Sequence, residues 1–372
     1  MKFSCEKALL QNAVTIAGRV VATKSTIPAL EGVLVEASDS NLQVSGYNLE
    51  TGIITKLEAN VEQSGSIVLS ARLFGEIIRK LPDDIVHLST EDTQVHITCG
   101  ATSFDILGTS AEEYPELPAV DNGNQLVITQ SNLHSMICQV KFAVSTNEIR
   151  PILTGALFEV SERNLTIVAV DGYRLALRRE AFLSKTGAPA FSFVVPGSSL
   201  GEVEKICSDS EEEVSITEGS RHITFRIGDT LLVSRRLEGE FVNYRQTIPQ
   251  NNEISLEVET AALQRSIDRA SLMINEKLKS PLRCTFGDGN LDITSRSAIG
   301  TAFDRCPITG NGNGLVIGFN NRFLMDAVRS APAERVHMKL NTATSPCLIT
   351  PVEGEPDNFL YLVVPLRLKA GE

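Results

Sequence analysis

The chain has 372 residues, of which 42% are hydrophobic and 22% charged, and its net charge is −12. This length predicts two or three domains, and no apolar run approaches the roughly 18 residues that a transmembrane helix requires. Glu6 and Lys7 interrupt the N-terminal stretch where a secretion signal would be apolar, so we expect a cytoplasmic protein that does not span a membrane.

The cysteines and histidines give no sign of a disulfide framework or a metal site. The seven cysteines are odd in number and scattered, with no C-x-x-C spacing, so we expect them to be reduced. The five histidines form no H-E-x-x-H or other ligand pattern. We therefore expect no metal and no cofactor.

In chain order, the first predicted helix covers residues 7–24, where apolar residues recur at three- and four-residue spacing. A turn and strand begin at Asn41, and the strand Ile67–Ser70 leads into a second helix over 72–80. The proline-rich segment 115–123 then predicts a linker and a boundary near residue 124.

The same order of elements follows in the next stretch of chain. A helix is predicted over 131–150 with Ser131 as its N-cap, a turn and strand begin at Asn164, and a second helix covers 197–208. The segment 249–252 predicts a second linker, with a boundary near residue 251.

The order recurs a third time towards the C-terminus. A helix is predicted over 260–279 with Thr260 as its N-cap, a turn and strand begin at Asn290, and a second helix covers 320–330. The phrases that begin at Asn41, Asn164 and Asn290 are separated by 123 and 126 residues. A domain-sized repeat of this kind predicts an α+β fold of three similar domains, 1–124, 125–251 and 252–372, each with two helices packed on antiparallel sheets.

The charge is distributed unevenly between these elements. The six predicted helical segments hold 15 lysines and arginines against 7 acidic residues, whereas the rest of the chain holds 19 against 39. For any single segment a solvated helix face is the simpler interpretation, but six together predict a basic helical surface and an acidic outer surface. A basic surface of this kind can attract phosphates without reading bases.

Two motifs that could suggest chemistry are rejected. The run Gly310–Gly314 does not match G-x-G-x-x-G and precedes a strand, so we interpret it as a flexible hairpin. Asp171, Tyr173 and Arg174 have no histidine or second carboxylate near them in sequence. We therefore expect no active site and no enzymatic activity.

Several short motifs, specific when taken together with the repeat, carry a resemblance over essentially the whole chain to the β subunit of bacterial DNA polymerase III, the β sliding clamp family. They are Met1-Lys2-Phe3, Pro28-Ala29-Leu30, Asp171-Gly172-Tyr173-Arg174-Leu175-Ala176, Asn275-Glu276-Lys277 and the C-terminal run Tyr361–Leu368.

This resemblance implies a non-catalytic processivity factor that closes as a head-to-tail homodimer around double-stranded DNA, independently of sequence. Helices would line the hole and sheets would form the outer ring. The positions implied near DNA are Lys24, Arg72, Lys141 and Arg150, with Arg19, Arg79, Lys80, Arg269 and Arg322 less strongly supported. The dimer contacts implied are Phe104 in the first domain and Leu272 and Met273 in the third, although ordinary core is the alternative for each.

The resemblance also implies a pocket that receives short linear motifs from the replicative polymerase, the clamp loader and repair proteins. The matching positions are Leu153, Val170, Gly172, Tyr173, Arg174, Leu175, Val242, Asn320, Phe323, Leu362, Val363, Val364, Pro365, Leu366 and Arg367. The alternative for these residues is core of the second and third domains. Val242 in place of a proline, Gln246 in place of an arginine and the extension Lys369–Glu372 depart from the family pattern, so the preferred peptide can differ.

Two other functions are weighed against the clamp. One is an enzyme with repeat symmetry that binds a small acidic metabolite between domains, and the absence of a nucleophile, metal or cofactor motif counts against it. The other is an α+β scaffold without a DNA role, which predicts neither a closed ring nor retention on circular DNA.

Overall fold

A computed structural model describes residues 1–119, 123–183, 188–274, 280–352 and 358–368 of the chain. The helices are α1 Lys7–Ala17, α2 Ala71–Lys80, α3 Gln130–Val140, α4 Gly197–Ile206, α5 Thr260–Ser271 and α6 Asn321–Ser330. The strands are β1 Lys2–Glu6, β2 Gly32–Ser38, β3 Asn41–Tyr47, β4 Thr51–Glu58, β5 Asn60–Gln63, β6 Gly65–Ser70, β7 Ile85–Glu91, β8 Gln94–Cys99, β9 Thr102–Leu107, β10 Asn124–Thr129, β11 Gly155–Glu162, β12 Asn164–Val170, β13 Arg174–Ala181, β14 Ala188–Pro196, β15 Glu213–Glu218, β16 His222–Ile227, β17 Thr230–Arg235, β18 Ile254–Glu259, β19 Leu282–Ser297, β20 Gly300–Phe319, β21 Arg335–Leu340, β22 Cys347–Pro351 and β23 Phe359–Val363.

The chain divides into two compact units. The first unit comprises Met1–His134, Leu183–Ala188 and Ser198–Arg236, and the second comprises Ser135–Phe182, Pro189–Gly197 and Leu237–Glu372. These units do not coincide with the three repeats, because strands of the second repeat belong to sheets of both units.

The first unit contains two antiparallel sheets. One has five strands in the order β5-β1-β7-β8-β9, and the other has eight in the order β10-β15-β16-β17-β4-β3-β2-β6. Helices α1 and α2 pack against each other and against these strands. Their apolar faces, including Leu10, Val14, Phe74 and Ile78, form one buried cluster with the strand residues, which is the arrangement of an α+β layer fold.

The second unit is built on a ten-stranded sheet in the order β14-β11-β12-β13-β23-β22-β21-β18-β20-β19. Helix α5 packs on β19 and β20 and contacts α6. Leu263 and Ile267 of α5 and Leu324 and Val328 of α6 are buried, so each helix turns one apolar stripe towards the sheet. The predicted antiparallel α+β architecture is confirmed.

Both large sheets continue from one repeat into the next. In the first unit β17 pairs with β4, and in the second unit β13 pairs with β23, in both cases antiparallel. The first two repeats also match in local detail, because 3₁₀ turns with a leading proline occupy Pro28–Glu31 and Pro151–Thr154, 123 residues apart.

Three predicted helices extend at least seven residues beyond the observed ones, and the helix predicted over 197–208 extends two residues beyond the observed end at Ile206. Helix α1 ends at Ala17 and is followed by the 3₁₀ turn Gly18–Val20, so the prediction of helix as far as residue 24 is wrong. The helix predicted over 260–279 ends at Ser271, and residues 275–279, including the Asn275-Glu276-Lys277 motif, lie outside the described residues.

The prediction of a helix as far as residue 150 fails for a local reason. Helix α3 ends at Val140, and the 3₁₀ turn Lys141–Ala143 follows. Beyond it, Ser145 Oγ accepts a hydrogen bond from Asn147 N at 3.0 Å, and Asn147 Oδ1 accepts one from Ile149 N at 3.0 Å. Short polar side chains that bond the nearby backbone compete with helix in this way.

The two predicted N-caps are also wrong. Ser131 lies inside α3, where Thr129 Oγ1 instead accepts a hydrogen bond from Asn132 N at 3.3 Å. Thr260 is the first residue of α5, and its hydroxyl donates to Ala333 O at 2.7 Å rather than capping the helix.

In the third repeat the predicted turns are absorbed into longer strands. Asn290 lies within β19, at a register irregularity between Asp288 and Asn290, rather than at a strand start. Gly310–Gly314 lies within β20 and is not a hairpin, with positive φ at Gly310, Asn313 and Gly314 marking its irregular backbone. Irregular pairing allows each strand to continue through a position where a turn between two strands was predicted.

Candidate functional site

The second unit brings the predicted pocket residues together along the ladder between β13 and β23. Arg174 pairs with Val363 and Leu175 with Leu362. Beyond the strand, Val364 N donates a 2.9 Å hydrogen bond to Tyr173 O. This ladder places Val363 beside Arg174, which is 189 residues earlier in the sequence.

The C-terminal run is held further along by a second contact. Leu366 N donates to Gly318 O at 2.7 Å, in an isolated bridge beside β20. The apolar terminus is therefore docked by backbone hydrogen bonds, partly as strand β23 and partly as extended chain. Lys369–Glu372 lie outside the described residues.

The Asp-Gly-Tyr-Arg motif forms a tight turn that leads into β13. Asp171 Oδ1 accepts hydrogen bonds from Tyr173 N and Arg174 N, both at 2.9 Å. Gly172 has φ +90°, a left-handed conformation that favours glycine. The side chain of Asp171 and the backbone of Gly172 therefore stabilise a turn that places Tyr173 and Arg174 at the start of β13.

Arg174 is the centre of the polar part of the site. Its Nε donates to Asp171 Oδ2 at 2.9 Å and its Nη1 to Asp326 Oδ2 at 2.6 Å. Its guanidinium also lies 4.5 Å from the ring centroid of Phe323 and 5.4 Å from that of Phe142. Since the side chain is only 11% exposed, these partners compensate a largely desolvated charge.

An aromatic stack lies beside this arginine. The rings of Tyr173 and Phe323 are 5.8 Å apart at an interplanar angle of 25°, and Tyr173 is 59% exposed. Asn320 positions Phe323, because its Oδ1 caps α6 by accepting from Arg322 N at 3.0 Å and Phe323 N at 3.1 Å.

The apolar positions divide into a buried floor and a half-buried wall. Leu153, Leu175, Leu362 and Val363 are buried. The half-buried set is Val170, Val242, Val364, Pro365 and Leu366, and Arg367 is exposed. Leu175, at 2% exposure, therefore belongs to the apolar core beneath the site as much as to the site itself.

Sequence reasoning missed Tyr244 and Glu159, which fasten the segment that carries Val242. The Tyr244 hydroxyl donates to Glu159 Oε2 at 2.5 Å, and Arg245 Nη2 donates to the same oxygen at 2.8 Å. Burial, followed by the neighbouring carboxylate of Glu159, raises the pKa of Tyr244. No local pattern marks Glu159, which is 85 residues from Tyr244.

The predicted basic positions of the first unit are solvent-facing. Arg79 and Lys80 are exposed in the last turn of α2, where they complement the helix dipole, and Arg72 is exposed in its first turn. Lys24 is exposed in a loop rather than on a helix. Arg19 has an acidic neighbour, Glu202, at 4.0 Å.

In the second unit the basic positions differ in their surroundings. Arg150 and Arg322 are exposed, and Lys141 is half-buried in the 3₁₀ turn after α3. Arg269 Nη2 donates to Asp304 Oδ1 at 3.0 Å and its Nε to Asp304 Oδ2, and this pairing lowers the pKa of the Asp304 carboxyl. Arg269 is consequently less available to an external anion than Arg150.

The excess of positive charge on the helices is smaller than the sequence predicted. The six observed helices hold nine lysines and arginines and five acidic residues. The number of basic residues falls by six because Arg19, Lys24, Lys141 and Arg150 follow the ends of α1 and α3 instead of lying within them, and Lys277 and Lys279 lie outside the described residues.

The predicted dimer contacts lie in different environments. Phe104 is half-buried on β9, the last strand of the five-stranded sheet, where it pairs with Ile97, and the neighbouring Leu107 is 73% exposed. In the second unit Leu272 is 71% exposed. Met273 is half-buried, and its Sδ packs close to Gly300 of the same chain.

Three exposed apolar residues near these positions were not predicted: Leu107, Ile299 at 79% exposure and Phe303 at 63%. The alternation of residues along a strand predicts which side chains face the core. It does not predict which outward-facing apolar side chains contact a partner. Large exposed apolar side chains are typical of an interaction surface.

The described parts of the chain contain no group of three or more His, Cys, Asp or Glu side chains placed to hold a metal ion. None of their helices has the length and apolarity needed to cross a membrane.

Three family models cover nearly the whole chain. Those described as the N-terminal, central and C-terminal domains of the DNA polymerase III beta subunit match residues 1–118, 127–243 and 245–367. A curated relative, the beta sliding clamp of Staphylococcus aureus (strain Mu50 / ATCC 700699), is 31% identical over 360 residues, which are 94% of each chain.

Solved structures are equally similar along the chain. The DNA polymerase sliding clamp of Bacillus subtilis superposes with a TM-score of 0.93 at 30% identity, covering 99% of this chain and 100% of that one. The DNA polymerase III beta subunit of Thermotoga maritima gives 0.91 at 28% identity with the same coverage. With three consecutive domain matches and a full-length relative, the chain belongs to the DNA polymerase III beta subunit family, the beta sliding clamps.

Proposed function

We propose that this chain closes as a head-to-tail homodimer around double-stranded DNA and tethers the replicative polymerase, the clamp loader and repair proteins to it. Family membership makes it a non-catalytic beta sliding clamp, so the metabolite-binding enzyme is no longer a competing interpretation. The observation that carries the partner function is the docked C-terminal run, whose strand β23 pairs with β13 directly after the Tyr173 turn. We also propose three clamp domains, 1–124, 125–251 and 252–372, acting in the cytoplasm.

The groove that receives partner peptides is proposed to lie along the half-buried wall of the second unit. Val170, Val242 and Val364 pack on the buried cluster beneath them and still expose apolar surface. The Tyr173 and Phe323 rings adjoin Arg174, so apolar, aromatic and charged groups meet within one small area. An extended peptide with apolar anchors matches this mixture.

Peptide binding tests the groove directly. Leu366 is half-buried and outside the core cluster, so Leu366→Ala should weaken binding of a fluorescent polymerase-derived peptide by about 1 to 3 kcal/mol without unfolding the chain. Leu175→Ala should weaken binding similarly, but with a loss of fold stability because Leu175 is buried. Fluorescence titration measures the affinity, and sedimentation controls for folding and dimerisation.

A matched control separates the groove from general damage. Leu183 is 49% exposed and belongs to the first unit, where its amide donates to Val127 O, whereas the groove residues belong to the second unit, so Leu183→Ala should bind the peptide as the wild type does. Wild-type affinity in Leu366→Ala and Leu175→Ala would exclude this groove, even if the chain encircled DNA.

The DNA function is proposed to be topological. Lys24, Arg72 and Arg150 are exposed and offer sequence-independent contacts to phosphates, but the chain as a whole has a net charge of −12. Such contacts are weak and fall steeply with salt, whereas a closed ring cannot leave DNA without opening.

Retention on DNA distinguishes the ring from simple charge attraction and from a scaffold without a DNA role. Loaded protein should remain on nicked circular DNA during gel filtration at moderate salt and should be lost once the circle is linearised. Equal retention on the two forms would contradict the topological mechanism.

A further inference from the structure

The ladder between β4 and β17 in the first unit repeats the design of the ladder between β13 and β23 in the second. The pairs Thr51 with Ser234 and Gly52 with Val233 open the first ladder. Arg174 with Val363 and Leu175 with Leu362 open the second. Thr51 precedes Arg174 by 123 residues, the spacing of the first two repeats.

The turn that leads into each ladder is also the same. Asn48 Oδ1 accepts hydrogen bonds from Glu50 N at 3.0 Å and Thr51 N at 2.8 Å, as Asp171 does for the matching amides of the second unit. Leu49 has φ +74°, close to the +90° of Gly172. A leucine rarely adopts this left-handed conformation, so the turn shape is imposed there by the surrounding structure.

The C-terminal end of β17 is held in the same way as the segment directly after β23. Arg235 N donates to Glu50 O at 2.8 Å, and Val364 N donates to Tyr173 O at 2.9 Å. The backbone of the proposed peptide groove is therefore built twice in the chain, once in each unit.

In the floor, the counterparts of Leu175, Leu362 and Val363 are Gly52, Val233 and Ser234, and the largest loss of side-chain volume is at Gly52. Gly52 stands where the second unit has Leu175, and a β-carbon at Gly52 would lie 2.6 Å from Leu117 Cδ2 and 3.2 Å from Tyr47 Cδ2. The apolar volume that Leu175 fills from its own strand is filled in the first unit by Leu117, which arrives from a different segment.

That segment is anchored upstream and has no regular structure of its own. Tyr114 is buried, and its hydroxyl donates to Ser45 O at 3.4 Å. Residues 115–119 form no helix or strand. Leu117 packs on a cluster that contains Leu30 and Tyr47. A leucine between prolines, inserted against a strand ladder, has the form of a short linear motif bound in place.

We propose that the first unit contains a second groove of the same design as the peptide groove, occupied by Leu117 of the chain's own segment 115–118 as an internal ligand. This inference rests on the proposed peptide-binding function. If the second unit binds partner peptides, the internal ligand in the first unit leaves each chain with one groove for external partners. Glu50, Arg235 and Arg236 replace Tyr173, Val364 and Pro365, so the emptied groove is more polar and binds more weakly than the second.

The first test empties the groove and offers the segment back as a separate peptide. The probe is the pentapeptide Pro-Glu-Leu-Pro-Ala carrying trifluoroleucine, observed by ¹⁹F NMR in the Leu366→Ala background, which disables the proposed partner groove. Leu117→Ala in that background should bind the probe at least about tenfold more tightly than the Leu366→Ala parent, with one site per chain. Adding Gly52→Leu should abolish this binding, because the new side chain refills the vacated volume.

The second test displaces the internal ligand without removing it. Gly52→Leu alone should accelerate amide hydrogen exchange in residues 116–119 by at least about tenfold, because Leu117 can no longer lie against the strand. Gly201→Ala is the control, since its added methyl group meets open space.

Each outcome bears on the inference separately from the partner groove. If the wild type does not bind the polymerase-derived peptide, only the proposed partner function is contradicted. The internal-ligand tests are unaffected, because their probe copies the chain's own segment. A folded Leu117→Ala variant that gains no probe binding, or a gain that survives Gly52→Leu, would overturn the internal-ligand assignment. Unchanged amide exchange in Gly52→Leu would overturn it as well.

Discussion

At the scale of single residues, Arg174 shows how far sequence reasoning reaches. The motif around it is visible in the sequence, and Asp171 is three residues away, but its second carboxylate, Asp326, is 152 residues distant and carries no local signal. The aromatic rings beside its guanidinium, those of Phe142 and Phe323, are 32 and 149 residues away. The motif could be recognised here, whereas long-range ion pairs depend on sheet order that no local pattern specifies.

Removing Arg174 should therefore destabilise the chain. Arg174→Ala leaves Asp171 and Asp326 without their shared cation, and the Asp171 side chain is only 12% exposed. Loss of one partner from a largely buried ionic group typically costs about 3 kcal/mol of unfolding free energy. Urea unfolding should show this loss, and Arg150→Ala, at an exposed position, should stay within about 0.5 kcal/mol of the wild type. Equal stability of the two variants would contradict the argument.

At the scale of elements, the repeated order of helices and strands could be predicted, but helix ends could not. The ends of α1 and α3 are decided by the 3₁₀ turns and side-chain hydrogen bonds that follow them. The predicted N-caps were wrong because the side chain bonds a group other than the helix amides. The Thr260 hydroxyl, for example, donates to Ala333 O. Asn320 differs, because its side chain accepts from two free amides of α6 and orients Phe323.

The cap at Asn320 should be measurable on its own. Asn320→Ala leaves the amides of Arg322 and Phe323 without their acceptor, and the loss of a side-chain cap typically reduces the unfolding free energy by about 1 kcal/mol. Asn320→Ser can restore an acceptor and should recover most of the loss. Thermal unfolding of the three proteins checks this order, and an alanine variant as stable as the serine variant would show that the cap contributes nothing.

At the scale of the whole molecule, the sequence alone predicted a threefold repeat, and only the resemblance to a family predicted a ring. The exposed apolar residues Leu107, Ile299 and Phe303 became visible only once the strands were placed, because an outward-facing leucine and a core leucine are indistinguishable in sequence. The two predicted contacts of the third repeat are now unequal, since Leu272 is exposed and Met273 is half-buried on its own chain.

The different exposure of Leu272 and Met273 predicts different effects of their substitution on dimerisation. The protein should sediment as a dimer at about twice the chain mass of 40.4 kDa. Leu272→Ala should weaken the dimer by about 2 kcal/mol, roughly thirtyfold, without loss of protomer stability because the side chain is 71% exposed. Met273→Ala should affect the dimer less and protomer stability more. A monomer at micromolar concentration, or an unchanged dimer constant in Leu272→Ala, would place the interface elsewhere.

The ladders that cross from one repeat to the next also govern what happens when the chain is cut. A fragment that ends after the second repeat would lack β23 and leave the backbone donors and acceptors of β13 unpaired along Arg174–Arg178. A newly bared edge strand is a template for pairing with other chains. Excised repeats of this protein should accordingly self-associate or precipitate, and the smallest well-behaved piece should be one that retains both partners of each ladder.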